Sequence, residues 1–154
     1  MRTKTVGSTL ALCFLAVALG FAADPEIGTW KLNETKSKIA PGGSKNHTVV
    51  YEAAGDSVKV TVDGIDKDGK TTHNEWTGKF DGKEYPVTGD ATSDMRSYTK
   101  VDAHKLKFTV KQNGKITTTG RAVISADGKS RTVTVNGTDA EGKKFKSVTV
   151  YDKQ

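Results

Sequence analysis

Asp68-Gly69-Lys70, Asp81-Gly82-Lys83, Asn113-Gly114-Lys115, Asp127-Gly128-Lys129 and Glu141-Gly142-Lys143 punctuate this chain between runs rich in Val, Thr and aromatic residues. Asp-Gly and Asn-Gly tolerate the positive φ angles that a type I′ hairpin turn requires. Repeated through one small chain, they predict an antiparallel up-and-down meander in which each strand pairs with the next.

Working outward from these turns, the intervening segments read as strands. Ser57 to Asp63 alternates cleanly, with Val58, Val60 and Val62 on one face and Lys59, Thr61 and Asp63 on the other. A period of two means one buried face and one wet face. Similar segments are expected over 27–33, 47–53, 71–80, 83–88, 96–101, 105–112, 115–125, 130–136 and 144–152. Trp76 and Phe80 share one side of their strand, and Leu106, Phe108 and Val110 point inward from theirs. Pro86 suits an edge or a strand end, because it cannot donate to a ladder. Residues 34–45, with Pro41-Gly42-Gly43-Ser44, read as a polar connection with room for one short helical turn. Strands this short and evenly spaced mark an all-β protein, a barrel or a sandwich.

An internal echo supports this layout. The stretch Val60 to Lys70 matches Val133 to Lys143 at most positions, each running Val-Thr-Val into one glycine and then a turn at a second. It predicts a repeated hairpin with a glycine bulge before the turn.

The first segment stands apart. Arg2 and Lys4 precede the apolar run Leu10 to Phe21, and Gly20-Phe21-Ala22 presents small residues where a signal peptidase reads. Residues 1–22 are therefore expected to be a cleaved signal peptide and residues 23–154 a single domain, secreted or periplasmic. The apolar run is short for a membrane span, which needs about 20 residues. Leu12 precedes the one cysteine, Cys13, where a lipoprotein signal wants a small residue, so no stable membrane anchor is expected. The domain then carries no cysteine and must stand on its core and its ladders. The net charge of +6 is spread without blocks of one sign, and clustered basic residues with interleaved aromatics are missing. Nucleic acid is not an expected partner.

Chemistry is sparse. His47, His73 and His104 lack metal-ligand spacing. Asp63, Asp66 and Asp68 resemble part of a calcium loop, but Thr77 stands where the closing carboxylate belongs. No nucleophile elbow or phosphate loop is present. No cofactor, metal or catalysis is expected. His73 and Glu75 share a strand face and can form a polar pair. Threonine is abundant on both strand faces, as in a barrel with a partly polar interior or a sandwich with Thr-rich outer faces.

Several side chains suit a cavity wall. Tyr51, Trp76 and Tyr98 are large and amphipathic. Arg96 and Tyr98 are two apart and point the same way, placing a guanidinium beside a phenol in the manner of a carboxylate or phosphate receptor. Arg121 shares a face with Thr117, Thr119 and Val123 and is a candidate inward charge.

Gly28-Thr29-Trp30-Lys31-Leu32 resembles the opening Gly-x-Trp strand of the lipocalins and the intracellular fatty-acid-binding proteins. Val148-Thr149-Val150-Tyr151-Asp152-Lys153 resembles the closing strand of the latter. The likeness covers the two ends and the hairpin rhythm, and the whole chain looks most like small exported lipocalin-like proteins of bacteria. It implies an up-and-down barrel of eight to ten strands holding a small apolar ligand. It also implies a structural role for Trp30 at the barrel floor, with Arg121 or Arg131 stacked on it. Two departures matter. Thr149 stands where fatty-acid-binding proteins carry an arginine, and residues 34–45 leave no room for their two helices.

The expectation is a lipocalin-like barrel that binds a small apolar or amphipathic molecule without catalysis, with Trp76, Arg96, Tyr98, Arg121 and Tyr51 around the ligand. The alternative is a protein-interaction or inhibitor module, acting through rim loops 89–94 and 41–45 over a packed core.

Overall fold

The computed structural model describes residues 24–139 and 141–154, so the expected leader over 1–22 lies outside the described residues. Ten strands follow in order: β1 (Gly28–Lys38), β2 (Lys45–Ala54), β3 (Ser57–Ile65), β4 (Thr71–Gly78), β5 (Asp81–Thr88), β6 (Met95–Asp102), β7 (Lys105–Gln112), β8 (Lys115–Ile124), β9 (Ser130–Thr138) and β10 (Lys144–Lys153). Each pairs antiparallel with the next, and β1 pairs with β10, so the meander closes into a barrel. Closure removes the unpaired edges that would otherwise template aggregation.

The turn chemistry is more varied than the tripeptides predict. Asn113-Gly114 is the type I′ turn expected, with φ of 51° and 75° between paired Gln112 and Lys115. Asp81-Gly82 is not a turn. It opens β5 as a bulge, where pairing with β6 slips between Asp81 and Glu84. The other three tripeptides close longer loops. In 66–70 and 139–143 the same bonds recur: the first Asp accepts from the glycine and donates to the lysine carbonyl, while its carboxylate accepts the lysine N–H. The sequence echo is thus one loop design used twice, at the same end of the barrel.

A second correction concerns residues 34–38. They form no helical turn but extend β1, which bulges between Asn33 and Lys38 and rejoins β10 at Val148. Ser37 holds this bulge, donating to the Asn33 carbonyl and accepting from the Val150 N–H. Pro86 sits inside β5 rather than at an edge. β4 and β5 pair only at Glu75–Thr88 and Trp76–Val87, so the missing N–H of Pro86 falls where no ladder bond is made.

One end of the barrel, the base, holds turns 55–56, 79–80, 103–104 and 125–129 together with the segment Asp24–Ile27. The opposite end, the rim, holds 39–44, 66–70, 89–94, 113–114 and 139–143. The core is concentrated toward the base: Trp30, Tyr51, Val60, Trp76, Leu106 and Ala122 are all nearly inaccessible. A buried Trp removes about 200 Å² from water, worth up to about 5 kcal/mol before chain entropy is counted. Both indoles also find acceptors, Trp30 Nε1 donating to the Glu26 carbonyl at 2.9 Å and Trp76 Nε1 to the Arg96 carbonyl at 3.0 Å.

Candidate functional site

The strand registers fix which side chains face inward. Arg131 pairs with Tyr151 and Ile124, Val133 with Ala122, Val135 with Gly120, and Gly137 with Thr118 and Phe145. Across the next seams, Gly120 meets Phe108, Thr118 meets Val110, and Val110 meets Arg96. The interior therefore has two unlike halves.

The base half is filled. Trp76 stacks parallel to Phe80 and meets Tyr98 and Tyr85 edge-on, with ring centroids 4.8–6.4 Å apart. Tyr98 in turn lies 5.7 Å from Phe108. Below them the segment Asp24–Ile27 crosses the floor, tied by an Asp24–Lys100 ion pair and by Lys153 donating to the Pro25 carbonyl. It carries Glu26 inside, 1% exposed, with Oε2 3.6 Å from Arg131 Nε. Arg131 donates to the Tyr51 hydroxyl at 2.5 Å, and its guanidinium carbon lies 4.5 Å from the Tyr51 ring centroid and 5.9 Å from that of Trp30. Burial raises the Glu26 carboxyl above its ordinary range, against the pull of Arg131. Burial likewise raises the Tyr51 phenol strongly, again opposed by Arg131. Neither Glu26 carboxylate oxygen has a hydrogen-bond donor. This assembly is a structural floor: sealed, aromatic and held by one buried ion pair.

The rim half is less tightly sealed. Its inward residues include Val110, Thr118, Val135, Gly120 and Gly137, with the Phe108 ring lying over Gly120 and the Phe145 ring over Gly137. All of them remain only half-buried although they face the barrel interior. A shallow groove of about 510 Å³ lies across the rim ends of β8, β9 and β10, lined by Thr118, Gly137 and Phe145 and, in larger part, by outward-facing residues such as Thr117, Thr119, Asn136 and Lys146. A second hollow of about 280 Å³ lies between Ala40-Pro41 and Lys143–Lys146. The connection 39–44 leans onto this mouth, where the Ala40 N–H donates to Ser147 Oγ at 3.0 Å.

Arg96 marks the boundary between the halves. It is 9% exposed, and its Nη2 reaches Asn74 Oδ1 at 3.5 Å and Asp90 Oδ2 at 3.6 Å, both at the limit of contact. Its Nε is enclosed and has no acceptor. Asp90 belongs to loop 89–94, which folds inward: its carboxylate accepts from Thr92 N–H at 2.8 Å and from Ser93 Oγ at 2.6 Å. Burial works to raise the Asp90 carboxyl, but the bonds from Ser93 and Thr92 prevail and hold it below its ordinary range.

Of the residues singled out from sequence, Tyr51, Trp76 and Tyr98 belong to the packed base, and Arg96 alone stands at the open half. Arg121 is corrected: it is exposed on the outer face, because β8 alternates so that Ala122 faces inward between Leu106 and Val133. Arg131 and Lys153, not Arg121, are the cations over Trp30, at 5.9 and 5.0 Å from its ring centroid. Parity with Val133 and Val135 on the same strand carries the signal for Arg131. Glu26, Asn74 and Asp90 were not legible, since the first comes from the chain lead, the second from across the barrel and the third from a loop. His73 pairs with Asp63, Nδ1 to Oδ1 at 2.6 Å, and lies 3.8 Å from Glu75, all on the wet outer face. No family model matches this chain, and no curated protein matches its sequence.

Proposed function

We propose that this protein is a lipocalin-like binding barrel that holds a small amphipathic molecule, without catalysis, in the rim half of its interior. One observation supports the reading: Val110 and Val135 face inward yet stay only partly buried and lie outside the packed core, which draws its sealed residues, such as Trp30, Val60, Trp76 and Leu106, from the base. Apolar side chains turned into an unfilled interior are an unmet opportunity for burial, worth about 25 cal/mol per Å² covered. A ten-stranded barrel is wider than the eight-stranded barrels whose side chains just fill them. A shallow groove of about 510 Å³ lies beside this mouth, across the rim ends of β8, β9 and β10. The groove mixes apolar Phe145 with threonines and lysines, which suits an amphipathic occupant.

The test is titration with N-phenyl-1-naphthylamine, a neutral apolar fluorophore, alongside V135W, which places an indole in the unfilled half. Saturable enhancement by the native protein and its loss in V135W, with the β-sheet circular dichroism unchanged, is the expected result. No saturable uptake by the native protein would overturn the reading and shift the weight to the interaction module built on the rim loops.

A further inference from the structure

Charge is not shared evenly around the outside of the barrel. β2 to β5 carry Glu52, Asp63, Glu75, Asp81 and Glu84, and three of these meet a basic partner: Asp63 meets His73, Glu75 meets Lys59 and Glu84 meets Lys111. β7 to β10 are the reverse. Asp152, near the end of β10, is the one carboxylate on these four strands, which also carry Lys105, Lys107, Lys115, Arg121, Lys144 and Lys146. Strand parity decides where the cations point. Leu106, Ala122 and Tyr151 are buried in the interior, so Lys107, Arg121, Lys144 and Lys146 face out, and all four are exposed.

Lys107 and Arg121 lie directly opposite each other in the β7–β8 pairing. Like charges in that position repel and destabilise a sheet. Among the described residues neither enters an ion pair, nor do Lys144 and Lys146, so nothing in the described chain relieves the repulsion. The neighbours on this face are hydroxyls and an amide. One row across the strands reads Thr109, Thr119, Asn136 and Lys146, and the next reads Lys107, Arg121 and Thr134. At about 4.8 Å per strand, β7 to β10 span roughly 14 Å of wall. The rim end of the face dips into the shallow groove bordered by Thr117, Thr119, Asn136 and Lys146. The phenylalanine rings of these strands are turned away from it, Phe108 over Gly120 and Phe145 over Gly137 on the inner side. Among the described residues, Ile116 at the rim corner is the one large aliphatic side chain widely exposed on these strands.

We infer that the outer face of β7 to β10 docks an anionic polysaccharide, with Lys107, Arg121 and Lys146 taking its carboxylates or sulfates and Thr109, Thr119, Thr134 and Asn136 bonding its hydroxyls. Charge complementarity carries this. A bound polyanion supplies the counter-charge that the opposed Lys107 and Arg121 lack, and the arginine fork matches a two-oxygen anion. A polymer that alternates anions with hydroxyls fits a face that alternates cations with hydroxyls and an amide. Single-stranded nucleic acid is a poorer fit, because its bases stack on aromatic side chains and this face turns its phenylalanines inward. A membrane surface is a poorer fit, because interfacial binding immerses an apolar face and Ile116 stands alone. A second copy is a poorer fit, because Asp63, Glu75 and Glu84 on the other side already have partners of their own. The inference concerns the outer wall and holds whether or not the interior is occupied.

The experiment measures fluorescence anisotropy of labelled polygalacturonate and dextran sulfate, with neutral dextran as the control, at physiological salt. Saturable binding of one or both polyanions and none of dextran is expected, with affinity falling as salt rises because exposed contacts are screened. K107Q/R121Q is expected to weaken binding on the order of tenfold, about fivefold or less for each exposed contact. Its thermal midpoint should be no lower than that of the native protein, because the substitution removes a like-charge pair. K146Q should weaken binding severalfold, and it carries the test if the double variant does not fold. K70Q/K83Q removes the same charge from exposed positions elsewhere and should leave binding unchanged. No saturable binding of either polyanion, or an equal loss in K70Q/K83Q, overturns the inference. Tighter binding of oligothymidylate or of phosphatidylglycerol vesicles than of either polysaccharide also overturns it and gives the face to that partner. Self-association that K107Q/R121Q abolishes, without uptake of either polysaccharide, overturns it in favour of a second copy.

Discussion

Replacing Arg131 by Met removes the cation 3.6 Å from a carboxylate that is 1% exposed and has no hydrogen-bond donor. Two costs follow, and pH separates them. Loss of the guanidinium from the Trp30 and Tyr51 rings is worth about 2 kcal/mol in a desolvated site and does not depend on pH. Stranding the Glu26 charge brings the total to about 4 kcal/mol near neutrality, within the range for breaking a buried pair from one side. For a domain of this size that is on the order of 12 °C in midpoint. The second cost depends on the protonation of Glu26. Its carboxyl is already raised by burial, and losing Arg131 removes the largest opposing pull, so the native pKa rises further. A raised native pKa means the folded state holds a proton that the unfolded state has released. That contribution to stability is fully present below about pH 4.3 and is lost as pH climbs through the native pKa, at up to about 1.4 kcal/mol per pH unit. R131M is therefore expected to lose about 4 kcal/mol at pH 7 but only about 2 at pH 4. The double variant E26Q/R131M should sit near 2 kcal/mol at both, because no charge is left stranded. Urea unfolding of the native protein, R131M and the double variant at the two pH values measures this directly. A deficit for R131M that is the same at pH 4 and pH 7, or a double variant no better than R131M, would refute the reasoning.

Two further perturbations probe the barrel wall. A Cβ on Gly64 would lie 2.3 Å from the Lys45 carbonyl oxygen and 3.0 Å from the Asn46 Cα, both backbone, so Gly64→Ala should cost about 1–3 kcal/mol by overpacking. Its urea midpoint should fall with an unchanged slope; an unaltered midpoint would show that the β2–β3 bulge can yield. On the outer face, Lys59 and Glu75 pair at 2.8 Å but remain widely exposed, so K59Q/E75Q should leave the thermal midpoint at physiological salt where it is. A clear drop would assign that pair a weight its exposure does not predict.

Much of the architecture was legible because hairpin turns and two-residue alternation are local. Val58-Val60-Val62 and Leu106-Phe108 needed only a pleated backbone to declare their inner face. The exact turn types were less accessible. Asp81-Gly82 and Asn113-Gly114 look alike in sequence, yet one is a bulge and the other a I′ turn. Which one forms depends on where the neighbouring strand ends. Residues 34–38 look like a polar connection, yet β10 offers them a ladder, and Ser37 makes the bulge that reaches it.

The candidate site was only partly legible, for a related reason. Arg96 and Tyr98 share a face by parity alone, so their common direction could be read. That Tyr98 is sealed among Trp76, Phe80 and Phe108 while Arg96 borders the open half could not. Arg121 and Arg131 both lie on strands, and the choice between them turns on which neighbours lead each strand inward.

From sequence alone came the all-β class, the meander order and most strand positions, because each rests on the conformational preferences of residues a few positions apart. Tertiary structure decided that the meander closes, that Glu26 enters the floor to meet Arg131, and that one half of the interior is filled and the other is not. Those outcomes depend on residues distant in the chain, such as Glu26 and Arg131 or Asn74 and Arg96, being brought together. No local propensity encodes that meeting; only the strand registers around the whole barrel do.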